Sequence, residues 1–157
     1  MRRQDREITD KHLIEDFLLQ QTILRVGFWD KGEVYVVPVN YGFWQENGDY
    51  RFYFHGARQG RKYELARSCP KVGFEIDGGY QLLPSEVACG YSAAYQSVVG
   101  TGRLCLVTNE AEMRLGLGCL MKQASHRTDW EFSPAALAAV AVFRLEVETL
   151  SCKAHLP

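Results

Sequence analysis

The chain has 157 residues, 46% of them hydrophobic, with 18 Lys plus Arg against 19 Asp plus Glu and a formal net charge of -1. That length suits one domain spanning 1–157, with apolar material enough for a core. The even charge balance argues against nucleic acid as a partner, because that role needs a basic face, so any anion site must come from a local cluster.

The five cysteines are Cys69, Cys89, Cys105, Cys119 and Cys152. Their number is odd and no pair forms Cys-x-x-Cys, which argues against a disulfide framework and a zinc site; reduced thiols and no metal are expected. Residues 1–7 are charged and lead into no apolar stretch, and no apolar run approaches the roughly 18 residues of a membrane span. The expectation is a cytoplasmic chain without a membrane partner.

Thr9 or Asp10 can cap a first helix carrying Leu13, Ile14, Phe17 and Leu18 at helical spacing. Residues 20–29 read as a strand, Asp30-Lys31-Gly32 as a tight turn and 33–43 as the return strand. Asn47-Gly48 centres a second turn before a strand at 50–55. A helix is expected over 56–68, a strand over 71–77 and a loop over 78–90, where Gly78-Gly79 and Pro84 fall. A long strand follows over 94–108, then a helix from a capping pair at Asn109 and Glu112 to about Gln123, and a last strand over 140–148. Six antiparallel strands with flanking helices make a mainly β chain. Closure into a barrel would remove the exposed edges of such a sheet and is expected over the alternative, an open α+β sheet.

Three stretches could carry chemistry. In the first, a strand ends at His55, the small residues Gly56 and Ala57 follow, and a helix begins with Arg58, Arg61 and Lys62 around Gly60. Glycines let a ligand approach the backbone, and cations beside free N–H groups suit a phosphate; a solvated basic turn is the plainer alternative. The second is Val36-Val37-Pro38-Val39-Asn40. Alternation puts Val36, Pro38 and Asn40 on one face, and Pro38 implies an edge, a bulge or a ligand-facing position. Asn40 can both donate and accept. The third is Tyr95-Gln96-Ser97, with Tyr95 and Ser97 sharing a face. Gly100-Thr101-Gly102 sits mid-strand with no helix after it and is no dinucleotide fingerprint. His55, directly before the basic turn, is either a structural residue or a group beside the ligand. His12, His126 and His155 read as surface residues.

In this order, Met1-Arg2-Arg3 with Asp5-Arg6-Glu7, Tyr35 to Gly42, Tyr53-Phe54-His55-Gly56-Ala57, Gly60-Arg61-Lys62 and Tyr95 to Gly100 resemble the FMN-binding split barrels of the pyridoxamine 5′-phosphate oxidase-like superfamily. Among these, the chain is most similar to the 5-nitroimidazole-resistance (Nim) family. The resemblance spans about residues 1–148. It implies a six-stranded split β-barrel and a homodimer holding FMN at the subunit interface. It also implies a small-molecule substrate such as a nitroaromatic, reduced by the flavin.

By the same resemblance, Arg61 and Lys62 with Gly56, Ala57 and Gly60 match the phosphate pattern. Val36, Val37, Pro38 and Asn40 match the strand against the flavin ring, Tyr95 and Ser97 match the partner subunit's strand, and His55 matches a histidine beside the flavin with a catalytic role. A pyridoxine phosphate oxidase is an alternative that would need a second cationic site, for which residues 150–157 offer only Lys153 and His155. A non-catalytic flavin or haem carrier, the haem held through His55 or His126, is another.

Overall fold

The computed structural model describes residues 4–156, so Met1, Arg2 and Arg3 of the matching start lie outside the described residues. A short 3-10 turn leads into β1 (Glu7–Ile8), and α1 (Lys11–Gln20) follows. Asp10 caps that helix, its carboxylate accepting from the N–H of His12 at 2.9 Å and of Leu13 at 3.5 Å. Ile14, Phe17 and Leu18 are buried along its inner face, whereas Leu13, expected on the same stripe, is 53% exposed. One residue along a helix is a rotation of about 100°, which takes Leu13 off the stripe.

Strands β2 (Ile23–Asp30) and β3 (Glu33–Asn40) form a hairpin across Lys31 and Gly32, both at positive φ. The expected strand over 33–43 is broken at Tyr41, which separates β3 from β4 (Gly42–Glu46). The buried Tyr41 hydroxyl donates to the Leu18 carbonyl at 2.5 Å. Gly42 then passes so close to a later helix that an added Cβ would lie 2.2 Å from the Leu120 nitrogen. Asn47 and Gly48, again at positive φ, turn β4 into β5 (Asp49–Gly56).

The helix expected over 56–68 shrinks to α2 (Arg61–Ala66), because Gly60 at φ +97 stands outside helical space. Strand β6 (Lys71–Leu83) runs through the segment expected to be a loop: its ladder with β7 (Ser92–Val107) shifts register between Gly78 and Gln81 and then resumes. An irregularity of this kind absorbs extra residues without ending the pairing. Helix α3 (Glu110–Ser125) begins where expected, with Asn109 accepting from the Glu112 N–H at 3.0 Å. An unforeseen helix, α4 (Pro134–Ala139), precedes β8 (Ala141–His155), which is longer than expected and takes the C-terminal residues into the sheet.

The sheet therefore has eight strands, not six, in the order β3-β2-β6-β7-β8-β5-β4, with β1 added to β8. No ladder joins β3 to β4 among the described residues, so the expected closure is corrected to an open path curled around a core. β3 is an edge strand, which is where Pro38 can sit without costing a ladder bond. Leu24, Val26, Phe52, Phe54, Phe74, Ile76, Val98, Leu104 and Phe143 fill the inside of that curl. A second cluster, Tyr53, Val107, Leu117, Leu137 and Val142, lies under α3 and α4. Strand β5 is thus buried on both faces.

Cys69 and Cys105 are joined as a disulfide, with Cα atoms 4.4 Å apart, which corrects the expectation that all five thiols are free. An odd total allowed one pair, and the fold brings the turn after α2 against β7. No described helix is long and apolar enough to cross a membrane. No group of three or more His, Cys, Asp or Glu placed to hold a metal ion occurs among the described residues.

Candidate functional site

The ladders set the outward side chains in rows. Pro38 pairs with Arg25, Arg25 with Glu75, Glu75 with Val99, and Val99 with Ser151. In the next row Asp77 pairs with Ser97, Ser97 with Lys153, and Lys153 with Glu7. Val36, Pro38 and Asn40 are exposed on the same outer face as Ser97, with Tyr95 two residues further along.

Gly27 and Gly73 are directly paired and neither has an atom closer than 3.8 Å to an added Cβ, so the centre of this face is smooth. Beside it stand Trp29, Val34, Val36 and Val99, between 52% and 71% exposed. A monomer that keeps apolar side chains contiguous on an open face has a use for them. Val37 differs from its neighbours, because its side chain packs against the core and leaves only its backbone at this face.

At one end of the curl lies the basic turn. Lys62 is half-buried, its Nζ 5.3 Å from the centre of the Phe54 ring and 5.1 Å from that of Phe143. No carboxylate pairs with it among the described residues, and burial pushes its ammonium below the ordinary lysine range. It also crowds Gly56, where an added Cβ would lie 3.1 Å from Nζ. Gly60 caps α2 through no side chain, and Ala57 and Gly60 are exposed.

Arg61 is engaged elsewhere. Its Nε donates to Asp30 at 2.8 Å and its Nη2 to Glu33 at 3.4 Å, and its guanidinium lies 4.6 Å over the Tyr35 ring. Sequence reasoning missed these partners, although two acids flanking the Asp30–Gly32 turn were a visible signal. Arg58, on the same turn, donates to the Ala138 carbonyl at 3.3 Å.

His55 is exposed and without a partner among the described residues. Strand alternation sends it to the Tyr53 side of β5, away from Phe54 and hence from Lys62. Tyr95 sits near the chain's two ends: Arg6 donates to its hydroxyl at 3.3 Å, and the His155 ring lies 6.4 Å from it. Ser97 borders an open cavity of about 400 Å³ with Lys153, Ser151 and Glu7. Asn40 donates to the Thr22 carbonyl at 3.3 Å, which leaves its amide oxygen free to accept.

A further charged group lies between the two outer-face stretches. Arg25 donates to Glu75 at 2.9 Å and also to Asp77. Burial and the neighbouring Asp77 keep the Glu75 carboxyl above its ordinary range despite Arg25. One chain therefore holds three separated pieces of the expected site: the outer face of β3, the turn before α2, and the outer face of β7.

Residues 10–154 match a family model described as pyridoxamine 5′-phosphate oxidase. A candidate 5-nitroimidazole antibiotic resistance protein from Bacteroides thetaiotaomicron is 27% identical, with 94% of this chain and 86% of that one covered and a TM-score of 0.79. An FAD- and haem-binding protein from Mycobacterium smegmatis superposes with a TM-score of 0.82 at 15% identity, covering 97% and 74% of the two chains. The flavocytochrome Anf3 of Azotobacter vinelandii gives 0.80 at 22% identity, covering 100% and 72%. A comparison with curated proteins finds no match.

Proposed function

We propose that this chain, which belongs to the pyridoxamine 5′-phosphate oxidase family, binds FMN and works as an oxidoreductase on a small nitroaromatic molecule. The observation that carries the flavin reading is Lys62, a half-buried ammonium with no acidic partner among the described residues, packed against Gly56 and following the exposed Ala57 and Gly60 in the same turn. A cation left unpaired in a partly desolvated place is costly unless an anion completes it. Those residues fit a phosphate, with Lys62 as its cation and the glycines allowing close approach. The smooth outer face by Val36, Pro38 and Asn40 fits a flat ring, and Asn40 offers a polar edge to it.

The flavin, when bound, supplies the redox chemistry. The chain's own residues bind, orient and shield. Lys62 holds the phosphate, and Pro38 with the glycine-lined strands keeps water off one ring face. His55, exposed and without a partner among the described residues, precedes the basic turn and is the candidate to handle a proton, although within one chain it faces the Tyr53 side of β5, away from Lys62. The nitroaromatic substrate rests on the likeness to the Bacteroides protein and on the ordered motifs.

The separation of the three pieces supports a homodimer in which Tyr95 and Ser97 of one copy complete the site of the other. The exposed apolar side chains on that face are its natural contact.

The test is the visible spectrum and the mass in solution. The expected result is a flavin spectrum, shifted from that of free FMN and released on denaturation, in a particle of twice the chain mass. A colourless protein that leaves added FMN unchanged overturns the flavin reading. A flavin-loaded protein that reduces no nitroaromatic in the presence of a chemical reductant overturns the substrate reading alone.

A further inference from the structure

Residues of α1, β4 and α3, with the cap residue His126, line an open cavity of about 490 Å³. It is within the range of small-molecule sites, roughly 300–1,000 Å³, and none of the flavin-site residues lines it. Its walls are amphipathic. Leu19, Phe43 and Trp44 supply apolar surface, and Leu19 remains 46% exposed.

The floor is Gln123, a buried amide whose hydrogen-bonding groups are already spent: it accepts from the Phe43 N–H at 2.9 Å and donates to the Leu18 and Gln21 carbonyls at 2.9 and 2.5 Å. The floor is therefore rigid and offers a ligand nothing polar.

The remaining polar groups are unequal. Glu15, the acid in the wall, already accepts from the Tyr50 hydroxyl at 2.9 Å. Lys122 and His126 have no side-chain partner among the described residues. They stand one helical turn apart at the end of α3, with His126 in left-handed geometry as the cap. The Arg51 guanidinium, 4.7 Å over the Trp44 ring, lies outside the lining and is engaged with Tyr53 and Glu112. The groups left open to a ligand are thus the Lys122 ammonium and the His126 ring at one end, with apolar surface along the length and the Glu15 carboxylate held by Tyr50.

We propose that this cavity binds a small organic carboxylate, with the anionic group on Lys122 and His126 and an aromatic or aliphatic body against Leu19, Phe43 and Trp44. The site lies apart from the proposed flavin bed, so it stands or falls independently of FMN binding.

The full chain as purified is titrated with 1-naphthoate by calorimetry, and the site is mapped by amide chemical shifts. The expected result is saturable one-to-one binding, with shifts concentrated at residues 43–45 and 119–126. Uncharged 1-naphthamide, and 1-naphthoate with the exposed-position variant Lys122→Gln, should each bind about tenfold or more weakly, as loss of a charged hydrogen bond requires. Absence of saturable binding overturns the proposal. So does equal affinity for 1-naphthamide or 1-naphthylmethylamine, and so do shifts falling on the outer face of β3 and β7.

Discussion

Arg61 and Asp30 are joined by a 2.8 Å hydrogen-bonded ion pair, while the next residue, Lys62, reaches no acid among the described residues. The two cations were equivalent in sequence, both on the turn that suits a phosphate. In the fold they divide the work. Arg61 fastens α2 to the β2–β3 hairpin through Asp30 and Glu33 and covers Tyr35. Lys62 turns inward over the Phe54 and Phe143 rings, where it is partly desolvated and held by their faces, with no acid beside it among the described residues.

FMN affinity should therefore depend far more on Lys62 than on Arg61. Lys62→Ala is expected to cost about 1.5–3 kcal/mol, the worth of one charged hydrogen bond. Asp30→Asn should do the opposite and tighten FMN, since it releases Arg61 toward the anion. The pH dependence follows from the direction of the lysine's shift. Burial lowers its pKa, binding needs the charged form, and so affinity is lost as pH rises through a value below the ordinary 10.5. Fluorescence titration of FMN against the two variants, at neutral and alkaline pH, measures all three effects. Asp30→Asn binding FMN more weakly would make Arg61 a latch that the site requires.

Local signals read well where a single residue decides the backbone. Lys31-Gly32 and Asn47-Gly48 turn as their types predict, and Asp10 and Asn109 cap the helices they precede. The outward facing of Val36, Pro38 and Asn40 followed from alternation alone. What failed was long-range. Gly78-Gly79 looks like a strand end, yet β6 passes through it because β7 continues to offer a ladder on the far side. Residues 149–155 do alternate, with Leu150, Cys152 and Ala154 set between Thr149, Ser151, Lys153 and His155, but small, weakly apolar residues make the signal faint, and the pairing with β7 and β1 is what makes them strand. The engagement of Arg61 by Asp30 joins positions 31 residues apart, and no spacing rule reports that.

Gln123 and Gly42 lock α3 onto β4, and both should be intolerant of change. Gln123→Ala leaves the buried Phe43 N–H and two carbonyls without this partner and should cost about 2–4 kcal/mol. Gly42→Ala drives a methyl into the α3 backbone and should cost about 3 kcal/mol or more. Gly73→Ala, with open space at its Cβ, is the control and should change stability by less than about 0.5 kcal/mol. Urea denaturation at neutral pH ranks the three; a Gly42→Ala protein as stable as Gly73→Ala would mean that α3 is not seated where it is described.

Acid should weaken the same region through Glu112. Burial alone would raise its carboxyl, but Arg144 donates to both of its oxygens, at 2.7 and 3.0 Å, and Tyr53 donates at 3.0 Å, so the group sits below the ordinary 4.5. A carboxyl depressed in the folded state contributes stability above its unfolded pKa, and that contribution is lost as pH falls through the folded one. The stability difference between the native chain and Glu112→Gln should therefore be largest at neutral pH and shrink below about pH 4.5. Equal slopes of melting temperature against pH in the two proteins would remove Glu112 as the acid-sensitive group.

The Cys69–Cys105 link makes a sharper statement than any of these, because it can be counted. Two of the five cysteines are paired, so denatured, unreduced protein should release three titratable thiols. In the native state Cys89 is exposed, Cys119 half-buried and Cys152 buried, which fixes the order of their alkylation. The link spans 36 residues of chain, for which the chain-entropy account gives a stabilisation of about 4 kcal/mol. The Cys69→Ser, Cys105→Ser double variant should accordingly melt lower than the oxidised parent and match the parent held in reductant. Five thiols in the denatured, unreduced chain would show that Cys69 and Cys105 only lie against each other, and the variant should then melt with the parent.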